Sequence, residues 1–150
     1  MREVTGIVSG KGGVGKTTTT VNLGMAMHKL GSNVVVLDGD IKNPNFGMHL
    51  GTLNYDVTAN EAIEKNMPLL EALHIHETGL RFIPSHLSLH YLDTDSSKLK
   101  NMFENFNSKI LVDSPPGLDK TAIDVMDACD NVIAVTRPYI PDITDCMKSI

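Results

Sequence analysis

The residues with the clearest chemical pattern lie near the amino terminus, between a short apolar run and an amphipathic one. Residues 9–18 read SGKGGVGKTT and satisfy the pattern G-x-x-x-x-G-K followed by Ser or Thr. Glycines let successive backbone N–H groups curl around an anion, and a following helix directs its positive end at phosphates. The pattern therefore predicts a phosphate-binding loop. Its members are Gly10, Lys11, Gly12, Gly13, Val14, Gly15, Lys16, Thr17 and Thr18.

The two lysines of this loop are expected to do different things. Lys16 is predicted to reach the β- and γ-phosphates as a point charge, and the Thr17 hydroxyl is placed to bind Mg²⁺. The general pattern does not require Lys11, whose glycine neighbours neither neutralise nor bury it. Two interpretations stay open for Lys11: a solvated surface lysine, or a charge that stabilises transferring phosphate across a dimer interface, as an arginine finger does in trans.

A pair of carboxylates follows the second apolar run, at residues 33–37. Asp38 and Asp40 are two positions apart, so both leave a strand end in the same direction. At the carboxyl edge of a parallel sheet they would face the crevice where ligands bind. We expect one to hold the Mg²⁺ shell and the other to orient or deprotonate an attacking water. The alternative is a pair of acidic turn residues before the Asn-Pro at 43–44.

A third acidic residue, Asp113, ends the apolar run at residues 109–112. A buried strand ending in Asp is the Walker B arrangement, in which the carboxylate holds Mg²⁺ directly or through water. The Pro-Pro-Gly that follows at 115–117 predicts a turn in which the N–H of Gly117 senses a γ-phosphate. The predicted metal ligands are therefore Thr17, Asp38 and Asp113.

The elements that must position these residues follow an alternating pattern. Short apolar runs, suited to parallel strands covered on both faces, lie at residues 4–9, 33–37, 80–83, 109–112 and 131–136. Helical spacing lies between them, at residues 23–30 before a Gly31 stop, at 96–106 and at 121–129. We predict an α/β fold with a doubly wound, mainly parallel sheet flanked by helices. Near the end of the sequence, Asp142 is predicted to cap a final helix.

Length and composition limit the classes of protein to consider. The chain has 150 residues, 41% of them hydrophobic, and a net charge of −5, which fits one soluble globular domain. The acidic balance argues against broad capture of nucleic acid. Cys129 and Cys146 form no CxxC pair, and neither a signal peptide nor a spanning segment is apparent. We therefore expect a cytoplasmic protein, and the abrupt end of the sequence suggests the N-terminal portion of a longer domain.

Together, these segments resemble the deviant Walker A ATPases of the MinD/ParA/Mrp superfamily, most closely its MinD-type cell-division branch. The second lysine of the loop, Lys11, is that superfamily's signature. The other shared segments are DGD at 38–40 with Pro44-Asn45, FIPS at 82–85, DSPPGL at 113–118, and Arg137-Pro138 through Thr144-Asp145. The resemblance covers nearly all of the chain. It implies a single P-loop ATPase domain over residues 1–150, incomplete at its carboxyl end.

The resemblance implies an ATP- and Mg²⁺-dependent homodimer that hydrolyses ATP slowly, answers to an activating protein and acts as a spatial switch. It assigns the loop residues to the nucleotide: Lys11 to the partner subunit's nucleotide, Lys16 to the bound phosphates, Thr17 to Mg²⁺ and Thr18 to the α-phosphate. It assigns Asp40 to the attacking water, Asp38 and Asp113 to the metal site, and Gly117 to the switch region. Lys11, Lys16 and Asp40 are thus the predicted catalytic residues. Peripheral contact with the inner face of the cell membrane rests on analogy alone.

Several other functions stay open at this point. A ParA-type DNA-partitioning ATPase and a MinD-like regulator of flagellar number share the phosphate loop, as do an iron–sulfur assembly protein and a scaffold that binds ATP without turnover. The pairs His74/His76 and His86/His90 are interpreted as surface histidines rather than zinc ligands. Residues 48–76 are a hypothetical docking segment for a regulator.

Overall fold

A six-stranded sheet lies at the centre of the computed structural model, which describes residues 1–52, 54–86 and 95–148. Its strands are β1 (Glu3–Val8), β2 (Val34–Asp38), β3 (His74–Ile75), β4 (Arg81–Ile83), β5 (Lys109–Asp113) and β6 (Asn131–Ala134). They lie in the order β3-β4-β2-β5-β1-β6. The pairs β4/β2, β2/β5, β5/β1 and β1/β6 are parallel, whereas β3/β4 is antiparallel. The predicted α/β fold with a mainly parallel sheet is confirmed.

Helices connect the strands and cover the sheet. They are α1 (Lys16–Lys29), α2 (Phe46–Leu50), α3 (Ala59–Glu64), α4 (Leu99–Met102), α5 (Lys120–Asp127) and α6 (Ile140–Lys148), with 3₁₀ turns at Leu69–Ala72, Ser96–Lys98 and Phe103–Asn105. The end of α1 shows the local chemistry. Gly31 adopts φ 80°, and the N–H groups of Gly31 and Ser32 donate to the carbonyls of His28 and Met27. These two bonds form the Schellman motif that a glycine stop predicts.

Successive residues of the central strands face opposite layers, as a sheet covered on both sides requires. Val35 and Leu37 of β2 pack in a cluster with α3, α4 and α5, while Val34 and Val36 pack in a second cluster with α1 and α2. All four of these side chains are buried. The helices therefore hold β2 and β5 from both faces, and the carboxyl ends of these two strands carry Asp38 and Asp113.

Several predicted elements differ in the structure. The predicted helix over 96–106 is broken into α4 between two 3₁₀ turns, because tight turns at each end aim Leu99, Phe103 and Phe106 into one core. The final helix begins at Ile140, so the prediction that Asp142 caps it is wrong. The apolar run of β6 predicts cover on both faces, yet all four of its residues are exposed, and β6 lies at the edge of the sheet beside β1.

The short elements β3, α2 and α3 were not predicted from the sequence. Each is six residues or fewer, which is too short for a periodic pattern to identify. They matter because α2 and α3 follow Asp40 along the chain. Over the described parts of the chain, no helix is long enough and apolar enough to cross a membrane.

Candidate active site

The predicted phosphate loop lies between β1 and α1, at the carboxyl edge of the sheet. It borders a cavity of about 320 Å³. Gly15 precedes α1 with φ 99°, a left-handed conformation that strongly favours glycine. The cavity is lined by Ser9, Lys11, Gly12, Gly13, Gly15, Lys16, Thr17, Thr18, Asp40, Asn45, His49 and Pro116. A larger cavity of about 420 Å³ lies elsewhere, between the chain after α3 and helix α4, and contains none of the predicted site residues.

Lys16 and Asp113 form the buried centre of the site. The Lys16 side chain is 8% exposed and that of Asp113 is 1% exposed, with Nζ lying 3.0 Å from Oδ1. The Thr17 hydroxyl donates to the other carboxylate oxygen at 2.5 Å, and the Thr20 hydroxyl lies 3.2 Å from Oδ1. The loop lysine, the hydroxyl predicted to bind Mg²⁺ and the aspartate at the end of β5 are thus in direct contact.

Asp38 lies beside Asp113, because the two are register partners of the parallel strands β2 and β5. Its carboxylate is buried and accepts backbone N–H groups from Asn45 at 3.1 Å and Phe46 at 3.2 Å, at the start of α2. Burial, and then the nearby charge of Asp113, raise the pKa of Asp38 well above its ordinary value. A cation bound beside these two carboxylates would favour the charged form of Asp38, which burial and Asp113 disfavour.

Asp40 differs from Asp38 because it lines the cavity. Its Oδ1 accepts the N–H of Asn43 at 3.1 Å, which fixes the carboxylate on a short turn. Burial raises the pKa of Asp40, partly opposed by that N–H and by the charge of Lys16. The preceding residue, Gly39, donates its N–H to the Asp113 carbonyl at 2.9 Å, and a Cβ at Gly39 would lie only 2.9 Å from that same oxygen. The close approach of β2's end to β5 therefore requires glycine.

Lys11 has a set of partners that the sequence did not indicate. Its Nζ lies 2.9 Å from Asp145 Oδ2 and 3.5 Å from Asp142 Oδ1, both on α6. Arg137 Nε donates to the other oxygen of Asp142 at 2.6 Å. A Cβ at Gly10 would lie 2.4 Å from the Asp145 carbonyl carbon, so the loop backbone rests directly on α6. Rather than being solvated alone, Lys11 is engaged within its own chain.

These contacts shift the pKa values of the groups that make them. Hydrogen bonding to Asp145 raises the pKa of Lys11, and the pKa of Asp145 is lowered by the same bond. The pKa of Asp142 is lowered chiefly by its bond to Arg137, with Lys11 contributing less. The lysine and both aspartates are therefore charged at neutral pH.

Five predicted site residues lie beside the cavity rather than on its wall. Gly10 packs on α6, and Val14, Asp38, Asp113 and Gly117 are absent from the lining. The N–H of Gly117 donates to the Ser9 carbonyl at 2.9 Å, while the neighbouring Pro116 lines the cavity instead. Sequence reasoning did not select Ser9, Asn45, His49 or Pro116. Asn45 is the N-cap of α2 and His49 lies within that helix, one of the elements that the sequence pattern did not predict.

Structural positions are taken by His74 and His76 and by both cysteines. His74 Nε2 donates to the Val57 carbonyl at 2.8 Å, and His76 Nε2 to the Leu50 carbonyl at 3.1 Å. Burial raises the pKa of the Cys129 thiol to about 12, and Cys146 is buried. In the described portion of the chain, no three His, Cys, Asp or Glu side chains form a group that could hold a metal ion. His90 lies outside the described residues.

Comparisons with known proteins come from sequence and from structure. The model of the ParA family, described as "NUBPL iron-transfer P-loop NTPase", matches residues 1–150. An uncharacterized ATP-binding protein of Methanocaldococcus jannaschii is 32% identical over 148 residues, which are 96% of this chain and 56% of that protein. The chain therefore spans little more than half the length of such curated relatives.

Two solved structures extend the comparison. The septum site-determining protein MinD of Pyrococcus horikoshii, complexed with Mg-ADP, superposes with a TM-score of 0.91 at 31% identity, over 99% of this chain and 63% of that one. The MinC:MinD complex of Aquifex aeolicus gives a TM-score of 0.85 at 33% identity, over 99% and 62%. Because the family model matches every residue and MinD structures share the fold, this chain belongs to the ParA/MinD family of P-loop NTPases.

Proposed function

We propose that this protein binds Mg·ATP at the loop of residues 9–18, hydrolyses it slowly, and uses the bound nucleotide to switch a homodimer that regulates cell division. The observation that carries the proposal is the convergence of Lys16, Thr17 and Asp40 on one cavity, with Asp113 directly beneath. A MinD of known structure holds Mg-ADP, which supports the same ligand here. The activity, cofactors and partners of the whole protein are proposed on this basis.

Nucleotide binding follows from the loop and its lysine. The backbone N–H groups of the glycine-rich loop and the start of α1 supply dipoles for phosphate, and Lys16 supplies a charge. Lys16 now neutralises Asp113 at 3.0 Å. A phosphate group would take over Lys16, which requires another positive charge beside Asp113.

Magnesium fits the donor set left around Asp113. Thr17, Asp38 and Asp113 offer hydroxyl and carboxylate oxygens, which are the hard donors that Mg²⁺ prefers, and phosphate oxygens and water would complete the shell. When bound, the ion supplies positive charge that neutralises the phosphates during transfer. Thr17 and Asp113 would hold it most directly, since Asp38 already accepts the N–H groups of Asn45 and Phe46.

Hydrolysis is assigned to Asp40, which is the carboxylate that lines the cavity. Its role is to accept a hydrogen bond from the attacking water and orient it toward the γ-phosphate. The N–H of Asn43 holds Oδ1 of the carboxylate, and the side chain as a whole lines the cavity in which that water would lie. A protein that binds ATP without turnover would not need a carboxylate at this position.

The dimer switch is assigned to Lys11. In this structure Lys11 is engaged by Asp142 and Asp145 of its own chain. To reach the partner subunit's nucleotide it must leave both aspartates, so the two arrangements exclude each other. Binding of ATP then favours the dimer, because the phosphates in the partner subunit give Lys11 negative charge that replaces the two aspartates of α6.

Other members of the family suggest partners and alternatives. The MinC:MinD complex supports a protein partner, and we propose an activating protein that acts on the cytoplasmic dimer, with peripheral membrane contact by analogy. A net charge of −5 disfavours the DNA-partitioning role. Cys129 is half-buried, Cys146 is buried and the two form no CxxC pair, so no cluster role is proposed for the cysteines of this stretch, despite the iron transfer named in the family description. Regulation of flagellar number remains the alternative closest to the proposal.

Light scattering tests the switch directly. We would measure the molar mass of Asp40→Ala in Mg·ATP and in Mg·ADP, since this variant should bind ATP without consuming it. A dimer in ATP alone supports the proposal, and a monomer in both contradicts the switch. Lys16→Ala is the matched control and should remain monomeric in both nucleotides, while phosphate release by the unaltered protein tests the ATPase activity separately.

A further inference from the structure

We infer that Asn60 is a positioning residue for hydrolysis, whose buried amide holds in place the segment that carries Asp40. The inference rests on the proposed ATPase function and adds to it a residue outside the cavity. Asn60 is the second residue of α3, and its side chain is 0% exposed. A polar side chain buried so completely must be matched by specific hydrogen bonds, because an unmatched amide is costly to bury.

Both ends of the Asn60 amide bind backbone, on two different loops. Nδ2 donates to the Ile41 carbonyl at 3.1 Å, and Oδ1 accepts the His86 N–H at 3.0 Å. Ile41 is three residues beyond the end of β2, and His86 is three residues beyond the end of β4. One side chain thus ties together the loops that leave two neighbouring parallel strands.

Two other contacts make the same connection, so Asn60 belongs to a continuous network. The Ala59 N–H donates to the Pro84 carbonyl at 2.8 Å, and the Ser85 hydroxyl donates to the Asp38 carbonyl at 2.7 Å. The start of α3 and the chain after β4 are therefore hydrogen-bonded to each other and to residues 38–41. Asn60 differs from the others because it binds the carbonyl of Ile41, the residue directly after Asp40.

The consequence for Asp40 is that both of its flanking residues are fixed. On one side, Gly39 donates to the Asp113 carbonyl at 2.9 Å. On the other side, Ile41 is 3% exposed and its carbonyl is held by Asn60. Asn60 does not line the cavity, so it acts on the reaction indirectly, through the segment that carries Asp40. Displacing a catalytic group by about 1 Å can cost roughly a hundredfold in rate, so such support matters.

Asn60→Asp is the sharpest substitution. It keeps the size of the side chain and an acceptor for the His86 N–H, but an ionised carboxylate has no donor for the Ile41 carbonyl. Ser96→Ala is the matched control, because Ser96 is also buried and its hydroxyl donates to Asp124 at 2.7 Å, away from the cavity. Asn60→Ser, which removes the amide without adding charge, is measured in parallel in case Asn60→Asp does not fold.

The first readout separates turnover from binding. We expect Asn60→Asp to lower the rate at saturating Mg·ATP by about tenfold, the scale of a sub-ångström displacement, with ADP affinity changed by less than about twofold. In an Asp40→Ala background the same substitution should cause no further loss of rate, because its effect passes through Asp40. A loss of ADP affinity as large as the loss of rate, or an equal loss in both backgrounds, would overturn the inference.

The second readout needs no activity, so it stands even if the protein proves not to be an ATPase. The Asn43 N–H that donates to Asp40 should exchange with solvent faster in Asn60→Asp and Asn60→Ser, and at the unaltered rate in Ser96→Ala. Unchanged exchange at Asn43 in both Asn60 variants overturns the inference. Faster exchange without any ATP hydrolysis by the unaltered protein would reject the proposed function and keep the positional role of Asn60.

Discussion

The two lysines of the phosphate loop are five residues apart, yet they occupy opposite kinds of environment. Lys16 is 8% exposed and pairs with Asp113 of β5, which is itself 1% exposed. Lys11 is 43% exposed and pairs with Asp142 and Asp145 of α6. The Lys16 contact is part of the buried sheet edge, whereas the Lys11 contact joins a loop to a surface helix. Lys16 is therefore built into the fold, whereas Lys11 can exchange partners without exposing a buried charge.

The largest expected effect is a difference in nucleotide affinity and stability between variants that lack one lysine or the other. Lys16→Ala should abolish tight nucleotide binding and lower the free energy of unfolding by about 3–5 kcal/mol, because Asp113 would remain buried without its partner. Lys11→Ala should retain ADP affinity, since Lys11 is partly exposed and paired with α6. Calorimetric titration with Mg·ADP and urea denaturation of both variants measure these differences. Equal ADP affinity in the two variants would remove the distinction between the lysines.

The second largest expected effect is the loss of ATP hydrolysis when Asp40, the carboxylate on the cavity wall, is removed. Asp40→Ala should retain ADP affinity and lose about 10²–10⁴-fold in turnover, the range expected when a group that handles the proton of the attacking water is removed. Phosphate release under saturating Mg·ATP measures the rate. Asp95→Ala is a suitable control, because Asp95 caps the 3₁₀ turn Ser96–Lys98 through the Ser97 N–H and does not line the cavity. Normal hydrolysis by Asp40→Ala would show that another group positions the water.

The two lysines also differ in how well the sequence predicts their surroundings. The surroundings of Lys16 follow from local rules: glycines, an apolar strand before the loop, and aspartates at the ends of strands that proved to be neighbours. Asp38 and Asp113 are register partners because parallel strands align their carboxyl ends. Periodicity and turn chemistry therefore predicted this part of the site well.

The surroundings of Lys11 could not be predicted in this way. Its partners lie at least 131 positions further along the chain, on α6, and the start of α6 differs from the one that the sequence pattern predicts. Asp142 resembles a helix cap in the sequence, but Arg137 and Lys11 draw it into an ion-pair network inside the first turn. Asn60 was missed for a similar reason, because a single polar residue in a helix of six gives no periodic signal. Tertiary contacts decide both cases.

A smaller effect tests whether α6 restrains Lys11. Asp145→Asn keeps the shape of the side chain but removes the charge at the shorter of the two Lys11 contacts, 2.9 Å. If that contact competes with dimer formation, the dimer in Mg·ATP should tighten by at least about fivefold, the lower end of ordinary coupling between sites. Light scattering over a concentration series measures the dissociation constant. The gain should disappear in a Lys11→Ala background, and a weaker dimer in Asp145→Asn would contradict competition.

The smallest expected effect is on the chemical reactivity of the two amines. The pKa of Lys11 is raised above 10.5 and those of Asp142 and Asp145 are lowered below 3.8, so the Lys11 contact is fully formed between these values and is lost only as pH rises or falls beyond them.

Salt is therefore the better probe near neutral pH. Raising ionic strength screens exposed pairs far more than buried ones. Acetylation of Lys11, followed by mass spectrometry, should accelerate roughly twofold in high salt relative to the exposed Lys100, as for a weak surface pair. Lys16 should stay protected from acetylation, because the carboxylate of Asp113 that holds its amine is buried and is not screened by salt ions. Equal acceleration at both lysines would mean that the Lys16 contact is as open as the Lys11 contact.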